Sequence, residues 1–415
     1  MAQGRRAGTR LGYLVPEMPG QTHAFFWREV QALGELGADV VLLSTRRPPP
    51  DACPHDFARA ARAETVYLYP PGAASAAWLA AHPGLAARGA RYAGRLVEST
   101  RAEKLRVTAL LPVAAELCRV AAARRLSHVH IQSCATSAHL GAMARAMGGP
   151  DYSLGLHGHL AVYGKDHAAK MERATFVRAV TRPLRADVLA LAPSIRAPVI
   201  SMGVDTDHFA PPPVRKEAGG QVRFLSVARL NPTKGHVFFL RALRALVDAG
   251  LDARYVVAGA GPAEAEVRAE IAAQRLESRV DLLGAIPQDE VLRQLHAADC
   301  LVLTSFGEGE AAPVAVMEAM ATGLPVICSI IGGTADMIED GRTGLLVPQC
   351  DVNAIRDAAW KIARDPSLRA RLGHAARQRA LSEFDYRRKA TELLDAIAGP
   401  GTDCAAAVDK TAQSC

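Results

Sequence analysis

The chain has 415 residues, a length that predicts two domains of about 200 residues each. Apolar residues make up 49% and charged residues 22%, as in ordinary globular proteins, and no apolar run reaches the roughly 20 residues of a transmembrane helix. The net charge of +7 indicates either an anionic partner or a plain Arg-rich bias. An aromatic content of 5% without a basic-aromatic motif favours a membrane surface over nucleic acid as that partner.

The N-terminus and the cysteines indicate the cellular setting. Arg5, Arg6 and Arg10 lie near the N-terminus, but the apolar core and cleavage site of a signal peptide do not follow them. The eight cysteines show no Cys-x-x-Cys spacing, which favours structural thiols over a zinc site or a disulfide framework. We therefore expect a soluble, cytoplasmic protein, with the cytoplasmic face of the inner membrane as a possible surface of attachment.

The first segment has the pattern of a parallel α/β unit. The expected elements are a strand at 11–15, a loop at 16–21, a helix at about 23–36 capped by Thr22, and a strand at 40–43. The loop follows the carboxyl end of the first strand, where open sheets bind ligands. Gly20 in this loop is a candidate for close approach to a phosphate.

The next segments are less regular. Residues 46–71 are rich in Pro, Arg and Asp and predict mostly loop, and two Ala-rich helical segments follow at about 73–97 and 100–123. A basic amphipathic surface on them predicts contact with anionic lipid, and a solvated helix face explains the same residues equally well. The basic residues concerned are Arg88, Arg91, Arg95, Arg101, Lys104 and Arg106.

Alternating strands and helices complete the first half. We expect strands at 129–132, 152–156, 176–181 and 198–200, with helices between them. His157 follows the second of these strands and lies beside Gly158, a position that points into the ligand crevice. A lone histidine is more often structural, so both interpretations stand at this point; His159 and Tyr163 are weaker neighbours.

A second α/β domain begins after the polar, Pro-rich stretch 211–220. Its first strand, at 223–228, leads into a loop that carries Arg229 and Lys234. Two cations at a strand-to-helix loop suit a diphosphate, although loop cations are usually only solvated. Gly259 belongs to a glycine-rich loop after the next strand, a weak nucleotide-binding signal that packing also explains.

The stretch 307–348 carries the strongest signal. Pro313 fits the first position of a helix, and Ala311 and Ala312 before it offer no capping side chain, so the first N–H groups are free to bind an anion. Glu310 precedes the helix and Glu318 lies within it. Gly323 should end the helix, a buried strand should follow at 326–328, and the glycines at 332–333 should permit close backbone approach. Two solvated glutamates on an ordinary helix–strand unit remain the simpler alternative.

This stretch resembles the retaining glycosyltransferases of family 4. Their signature is two glutamates separated by seven residues, followed by Ala-Met-Ala-x-Gly-x-Pro-Val, and residues 310–326 match it. The glycine pair at 332–333, Asp340-Gly341 and Gly344 also match. Asp336 stands where the family usually has Glu, and Ala311-Ala312 replaces a Gly-containing pair. The opening 19–29 resembles a bacterial exopolysaccharide (colanic-acid-type) subgroup, except that Gly20 is single.

The resemblance implies the GT-B architecture, an α/β fold with two Rossmann-like domains facing across a cleft. The implied parts are an acceptor-side domain at 1–210, a donor-binding domain at 211–385, a helix at 386–398 that crosses back, and a disordered tail at 399–415. The implied reaction moves a sugar, with retention, from a nucleoside-diphosphate sugar to a saccharide or lipid-linked saccharide in exopolysaccharide biosynthesis. No nucleic acid, cofactor or metal is expected, and Asp205-Thr206-Asp207 lies in the linker.

The family also implies roles for individual residues. Glu310 would hold sugar hydroxyls, Glu318 the ribose, and Arg229 and Lys234 the diphosphate, while His157 would lie near the donor sugar. These make Glu310, His157, Arg229 and Lys234 the catalytic candidates. The donor-binding candidates are Gly20, Glu318, Gly259, Ala311, Ala312, Pro313 and Val314. No covalent nucleophile stands out, which favours departure and attack on one face of the sugar. A sugar-nucleotide 2-epimerase and a non-catalytic subunit with the same architecture are the alternatives.

Overall fold

The computed structural model describes residues 10–20, 23–50, 52–53, 55–213, 220–307 and 310–399. In the first half they form β1 (Arg10–Glu17), α1 (Ala24–Glu35), β2 (Asp39–Arg46), α2 (Ala58–Glu64), β3 (Val66–Tyr67), α3 (Ala73–Ala81), α4 (Pro83–Gly94), α5 (Arg101–Thr108), α6 (Leu111–Arg124), β4 (His128–Ile131), α7 (Thr136–Ala146), β5 (Asp151–Leu156), a 3₁₀ turn (Leu160–Tyr163), α8 (His167–Met171), β6 (Val177–Ala179) and α9 (Arg182–Leu191).

The second half repeats the alternation. It comprises β7 (Val222–Val227), a 3₁₀ turn (Pro232–Lys234), α10 (His236–Asp248), β8 (Ala253–Ala258), α11 (Glu264–Ala273), β9 (Val280–Gly284), α12 (Gln288–Ala297), β10 (Cys300–Leu303), α13 (Val314–Ala321), β11 (Val326–Ser329), α14 (Thr334–Met337), β12 (Leu345–Val347), α15 (Val352–Arg364), α16 (Pro366–Arg379), a π turn (Ala380–Phe384) and α17 (Tyr386–Ala398).

The strands form two parallel, six-stranded sheets. The first has the order β3-β2-β1-β4-β5-β6 and the second the order β12-β11-β10-β7-β8-β9, so both show the doubly wound arrangement. The expected α/β fold with two Rossmann-like halves is confirmed. In such sheets a ligand crevice opens at the switch point, where the strand order reverses. These points lie between β1 and β4 in the first sheet and between β7 and β10 in the second.

Helices cover both faces of the first sheet, because side chains alternate along its strands. Tyr13 and Val15 on β1 pack in the hydrophobic cluster that contains residues of α1 and α17, whereas Leu14 belongs to the cluster with α6 and α7. The central strands are therefore buried on both sides, as all four residues of β4 and of β10 show.

Two segment predictions need refinement. Residues 46–71 are mostly loop, as expected, but α2 and β3 form within them, because Ala, Arg and Glu in α2 are good helix formers. The two Ala-rich segments contain two helices each, divided at His82 and at 109–110. Thr22 and residues 400–415 of the predicted tail lie outside the described residues.

The chain passes between the two halves twice, and the two passages are hydrogen-bonded to each other. Val204 in the linker donates its N–H to the carbonyl of Phe384 at 2.7 Å and accepts from the N–H of Tyr386 at 3.1 Å. The chain then enters α17, which packs against α1 of the first half. Among the helices in the described ranges, none combines the length and the apolar character needed to cross a membrane.

Candidate functional site

A cavity of about 500 Å³ lies between the two halves. Its walls come from α1 and the loop after β5 on one side, and from the loops after β7 and β10 and the start of α13 on the other. Of the predicted site residues, those that line it are His157, Arg229, Lys234, Glu310, Ala311, Ala312, Pro313, Val314 and Glu318. Gly20 and Gly259 are not among its lining residues.

Lys234 and Glu310 form an ion pair in the cavity wall. Oε2 of Glu310 also accepts a hydrogen bond from Oγ of Ser305 at 3.1 Å. The loops that carry the pair are joined by Gly235, whose positive φ of 67° and missing side chain let it lie against the carbonyl of Thr304. Oγ1 of Thr304 in turn donates to the carbonyl of Gly235 at 2.8 Å. Sequence-distant residues thus meet at the carboxyl ends of β7 and β10.

The loop that carries Glu310 rests on the predicted glycine pair. Gly332 has a φ of 53°, and a Cβ there would overlap the carbonyl oxygen of Glu310. The N–H of Gly333 donates to the carbonyl of Ala311 at 2.7 Å. A side chain at Gly332 would displace the loop, and one at Gly333 would overlap the side chain of Thr181. The expected close backbone approach is confirmed, and its partner is the site loop itself.

The start of α13 is uncapped, as the sequence predicts. Pro313 is its N-cap, one residue before the expected first helical position, and no side chain caps the helix. Within the described ranges, the N–H groups of Val314 and Ala315 have no hydrogen-bond partner. Two free donors and the positive end of the helix dipole therefore face the cavity, an arrangement that favours an anion.

Glu318 faces a cation from the other half of the protein. Nη2 of Arg28, on α1, lies 3.7 Å from Oε1 of Glu318, and the two side chains are 15% and 12% exposed. Burial raises the pKa of Glu318, and the nearby guanidinium opposes that rise. Nη1 of Arg28 is buried and has no hydrogen-bond partner among the described residues. Arg28 therefore presents an unused donor at the cavity.

His157 is oriented by a chain of buried polar groups. Nη1 of Arg178 donates to Oε1 of Glu29 at 2.6 Å, and Oε2 of Glu29 accepts from Nε2 of Gln132 at 2.9 Å. Because the carboxylate only accepts, the amide of Gln132 must turn its NH₂ toward Glu29 and its oxygen toward His157. That oxygen lies 2.6 Å from Nε2 of His157, which therefore carries the ring proton. A fifth member, Tyr13, donates its hydroxyl to the same Oε2 of Glu29 at 2.6 Å.

The same surroundings keep the imidazole neutral. Burial lowers the pKa of His157 well below its usual value, and the charge of Arg178 and the ring of His23 lower it further. With the proton on Nε2, Nδ1 carries a lone pair, and it has no partner in the described part of the chain. His157 is therefore a hydrogen-bond acceptor at the cavity, and it brings no positive charge.

Arg229 and the two remaining predicted glycines differ in position. Arg229 is exposed at the cavity and its guanidinium makes no hydrogen bond or ion pair with described residues. Gly259 lies behind it, close against the carbonyl of Ala228, and donates its N–H to Gly284 at 2.8 Å. Gly259 therefore supports the Arg229 loop by packing. Gly20 packs against the ring of His23.

The described ranges contain no group of three or more His, Cys, Asp or Glu residues arranged to hold a metal ion. The acidic pair in the linker has other contacts. Oδ1 of Asp205 accepts from the N–H groups of Asp207 and His208 at 3.1 and 3.0 Å, and Asp207 pairs with Arg387 at 2.9 Å.

No sequence motif indicated a role for Arg28, for Ser305 or for the hydrogen-bonded series from Arg178 to Gln132. Arg28 had a usable signal, because it lies one turn after Ala24 and Phe25 on a helix that follows the first strand's ligand loop. Ser305 and Gln132 each follow a buried strand at its carboxyl end, which is also a usable signal. Their partners are far away in sequence and could not be deduced.

The chain is similar in sequence and in fold to known glycosyltransferases. Residues 212–379 match the family model described as glycosyl transferases group 1. The chain is 34% identical over 213 residues to the putative colanic acid biosynthesis glycosyltransferase WcaL of Escherichia coli K12, which covers 49% of this chain and 52% of that protein. It is 31% identical over 242 residues to the amylovoran biosynthesis glycosyltransferase AmsK of Erwinia amylovora, which covers 56% and 59%.

These alignments span only a little over half the length of the two relatives. The likeness to a solved structure is more extensive. The crystal structure of Anabaena Alr3699/HepE in complex with UDP superposes with a TM-score of 0.72 over 94% of this chain and 99% of that one, at 15% identity. At 15% sequence identity, this similarity shows a shared fold. Residues 212–379 are therefore similar to the group 1 glycosyl transferases, and the chain has the GT-B fold.

Proposed function

We propose that this protein is a retaining, family 4-like glycosyltransferase in exopolysaccharide biosynthesis. Its donor is a nucleoside-diphosphate sugar and its acceptor a saccharide or lipid-linked saccharide. The names of the two relatives support the process, and the UDP bound to the structural neighbour supports the donor class. The observation that carries the proposal is the ion pair of Lys234 and Glu310 beside the uncapped start of α13, inside one cavity.

The leaving group of such a reaction is a nucleoside diphosphate, so catalysis requires charge stabilisation on the departing phosphate. Lys234, Arg229 and the free N–H groups of Val314 and Ala315 all lie at the cavity. Together they supply two cations and two helix donors without a metal ion. Arg28 adds a third cation from the opposite wall, with its Nη1 unused.

Glu310 suits the sugar. Its Oε2 accepts hydrogen bonds from Lys234 and Ser305, whereas its Oε1 accepts none from the described residues. Oε1 is therefore the acceptor available for a sugar hydroxyl, with Lys234 holding the carboxylate in place. Glu318 lies beside Arg28 and suits the ribose hydroxyls. His157 completes the sugar site as a neutral acceptor for a further hydroxyl.

For a retaining transfer, which the resemblance to family 4 implies, the described residues that line the cavity offer no free nucleophile to form a covalent intermediate. The carboxylates there are those of Glu310 and Glu318, and each faces a cation. A carboxylate held in an ion pair is a weakened nucleophile. Departure of the diphosphate and attack of the acceptor on the same face of the sugar is therefore the mechanism that these residues favour.

The membrane surface belongs to this proposal as the site of a lipid-linked acceptor. Five arginines on α4, directly after it and on α5 are exposed: Arg88, Arg91, Arg95, Arg101 and Arg106. Two apolar residues nearby are exposed as well, Val97 at 88% and Leu105 at 71%. Exposed apolar side chains among cations are typical of surfaces that attach to anionic lipid. The cytoplasmic face of the inner membrane is the location that fits.

The decisive experiment is a transfer assay in which ¹H NMR follows the anomeric proton of donor and product. The protein is first screened by thermal shift against nucleoside diphosphates and their sugars, since a ligand that binds the native state raises its melting temperature. The donor that binds is then incubated with and without saccharide acceptors. We expect an acceptor-dependent product with the donor's anomeric configuration. Conversion of the donor alone would show an epimerase, and an inverted product would exclude retention.

A further inference from the structure

A second cavity, of about 370 Å³, lies at the carboxyl edge of the first sheet. Pro16 at the end of β1 and Ser133 just after β4 are among its lining residues. It therefore occupies the switch point of the first sheet, where doubly wound sheets bind ligands. The corresponding point of the second sheet, between β7 and β10, holds Lys234 and Glu310. The second cavity is thus the first sheet's counterpart of the proposed donor site.

The start of α7 supplies the polar part of this cavity. Ala135 is the N-cap and offers no capping side chain, and the N–H groups of Thr136 and Ser137 have no hydrogen-bond partner among the residues described. The Ser137 residue is 3% exposed, and its Oγ is buried and equally without a partner. A buried hydroxyl without a partner is costly unless a ligand or water satisfies it. Together with two free helix donors, it favours an anionic oxygen.

The remaining walls are largely apolar. Leu110, Val113 and Leu140 line the cavity, and Tyr69 lines it while 58% exposed. Arg46 adds a cation, although its guanidinium is 2.5 Å from Glu17 and is partly neutralised by it. An anion alone would leave the apolar walls unused, and an apolar group alone would leave Ser137 unpaired. The lining therefore suits a ligand with both parts.

The position along the chain agrees with this chemistry. Leu110 lies two residues after the end of α5, whose exposed Leu105 and Arg106 belong to the proposed lipid-facing surface. We propose that this cavity binds a phosphate ester attached to a hydrocarbon chain, such as an isoprenoid phosphate or a glycerolipid phosphate. Its interpretation as the site of the acceptor's lipid carrier rests on the proposed function, whereas the binding itself does not.

Calorimetry on the full chain tests the ligand class. Three probes separate the contributions of the phosphate and of the hydrocarbon chain. Geranyl phosphate contains both groups, geraniol lacks the phosphate, and inorganic phosphate lacks the hydrocarbon. We expect saturable binding of geranyl phosphate at least tenfold tighter than that of either fragment. Equal affinity for geraniol and geranyl phosphate would contradict anion recognition. Dioleoylphosphatidic acid in nanodiscs serves as the glycerolipid probe, and its affinity relative to geranyl phosphate distinguishes the two sources.

Variants test the place of binding. Ser137→Ala removes one donor to a charged group and should weaken geranyl phosphate about tenfold. Leu110→Glu and Leu110→Lys form a matched pair at a half-buried wall position. We expect Glu to weaken geranyl phosphate and Lys to preserve or strengthen its binding, with geraniol affected equally by both. Unchanged affinity in Ser137→Ala and no difference between the Leu110 pair would overturn the site.

Binding of UDP is measured on every variant as the control for the donor cavity and for folding. Variants that lose geranyl phosphate but keep UDP support the second site. If the parent binds geranyl phosphate at this site but no nucleoside diphosphate, the proposed function fails while this inference stands. If it binds a nucleoside diphosphate but not geranyl phosphate, the inference fails alone.

Discussion

The side-chain oxygen of Gln132 lies 2.6 Å from Nε2 of His157, and through Glu29 this contact is ultimately oriented by the permanent charge of Arg178. The consequence is a defined tautomer at the cavity wall. The guanidinium of Arg178 only donates, the carboxylate of Glu29 only accepts, and the amide of Gln132 must therefore turn its oxygen toward His157. A ring that would otherwise choose between two protonation patterns is held with Nδ1 as the acceptor.

We predict that ¹⁵N NMR of the parent protein at pH 7.5 shows His157 as the neutral Nε2–H tautomer. In Gln132→Leu the constraint is lost, and the spectrum should show mixed tautomers with kcat/KM reduced about tenfold, the value of one hydrogen bond. His159→Ala is the matched control and should leave both measurements unchanged. An Nδ1–H tautomer in the parent would refute the orientation chain.

The two glutamates should differ in kinetics. Glu310→Ala is expected to lower kcat strongly, because hydrogen bonds to the sugar strengthen as the ring distorts. Glu318→Ala should act mainly on nucleotide affinity, since ribose contacts change little during the reaction. Steady-state kinetics and UDP calorimetry separate the effects, with Glu266→Ala on α11 as the exposed control. Equal, small effects from both cavity substitutions would instead indicate two structural glutamates.

Lys234 should act on the transition state without the help of a metal ion. Its Nζ contacts Glu310, so the charge is already placed when the diphosphate departs. Lys234→Ala should cost about 3 kcal/mol, roughly a hundredfold in kcat, and raise KM by less. Excess EDTA should leave the parent's rate nearly unchanged. Lys361→Ala, on α15, is the control. Loss of activity in EDTA with recovery on adding magnesium or manganese would refute the metal-free mechanism.

Acidification should destabilise the fold through its buried histidines. Burial lowers the pKa of His128, His139 and His236 to about 4 each. The folded pKa lies below the unfolded value of about 6.5, so stability is complete above that value and is lost as pH falls toward 4. At pH 5 each contributes a loss of about 2 kcal/mol. The free energy of unfolding, measured in urea, should fall between pH 7 and 5, and His236→Gln should reduce this pH dependence. A flat profile between pH 7 and 5 would contradict the prediction.

The basic surface on α4 and α5 should bind anionic vesicles in a salt-dependent way. Screening acts over about 8 Å at physiological ionic strength, so flotation with phosphatidylglycerol vesicles should succeed at low salt and weaken at high salt. Arg88→Glu, Arg91→Glu and Arg101→Glu together should abolish it. The matched control reverses Arg244, Arg268 and Arg293, which lie in the second half. Absence of flotation by the parent at low salt would exclude this surface.

The sequence predicted what local patterns determine. The alternation of strands and helices, the uncapped start of α13 and the glycine pair that supports it all follow from neighbouring residues. Arg28 lies 290 positions from Glu318 along the chain, and no local pattern pairs them. Gly259 is the converse case, because a local pattern predicted a donor-binding residue at a position that packs against Ala228. A glycine that lets two loops pack has the same sequence signature as one that contacts a phosphate, and only the structure places it behind Ala228.

The bridge between Val204 and the segment Phe384–Tyr386 also determines how the cavity can open. Both passages of the chain between the two halves meet there, and Gly203 has no room for a side chain against the backbone of Tyr386. The halves also touch away from this bridge, where the N–H of Arg182 donates to Oδ2 of Asp336 at 2.7 Å. Arg28 and Glu318 face each other from opposite halves, so a rotation about the bridge would change the distance between them. The two halves would then rotate about this bridge once to admit the donor and again to release the nucleoside diphosphate.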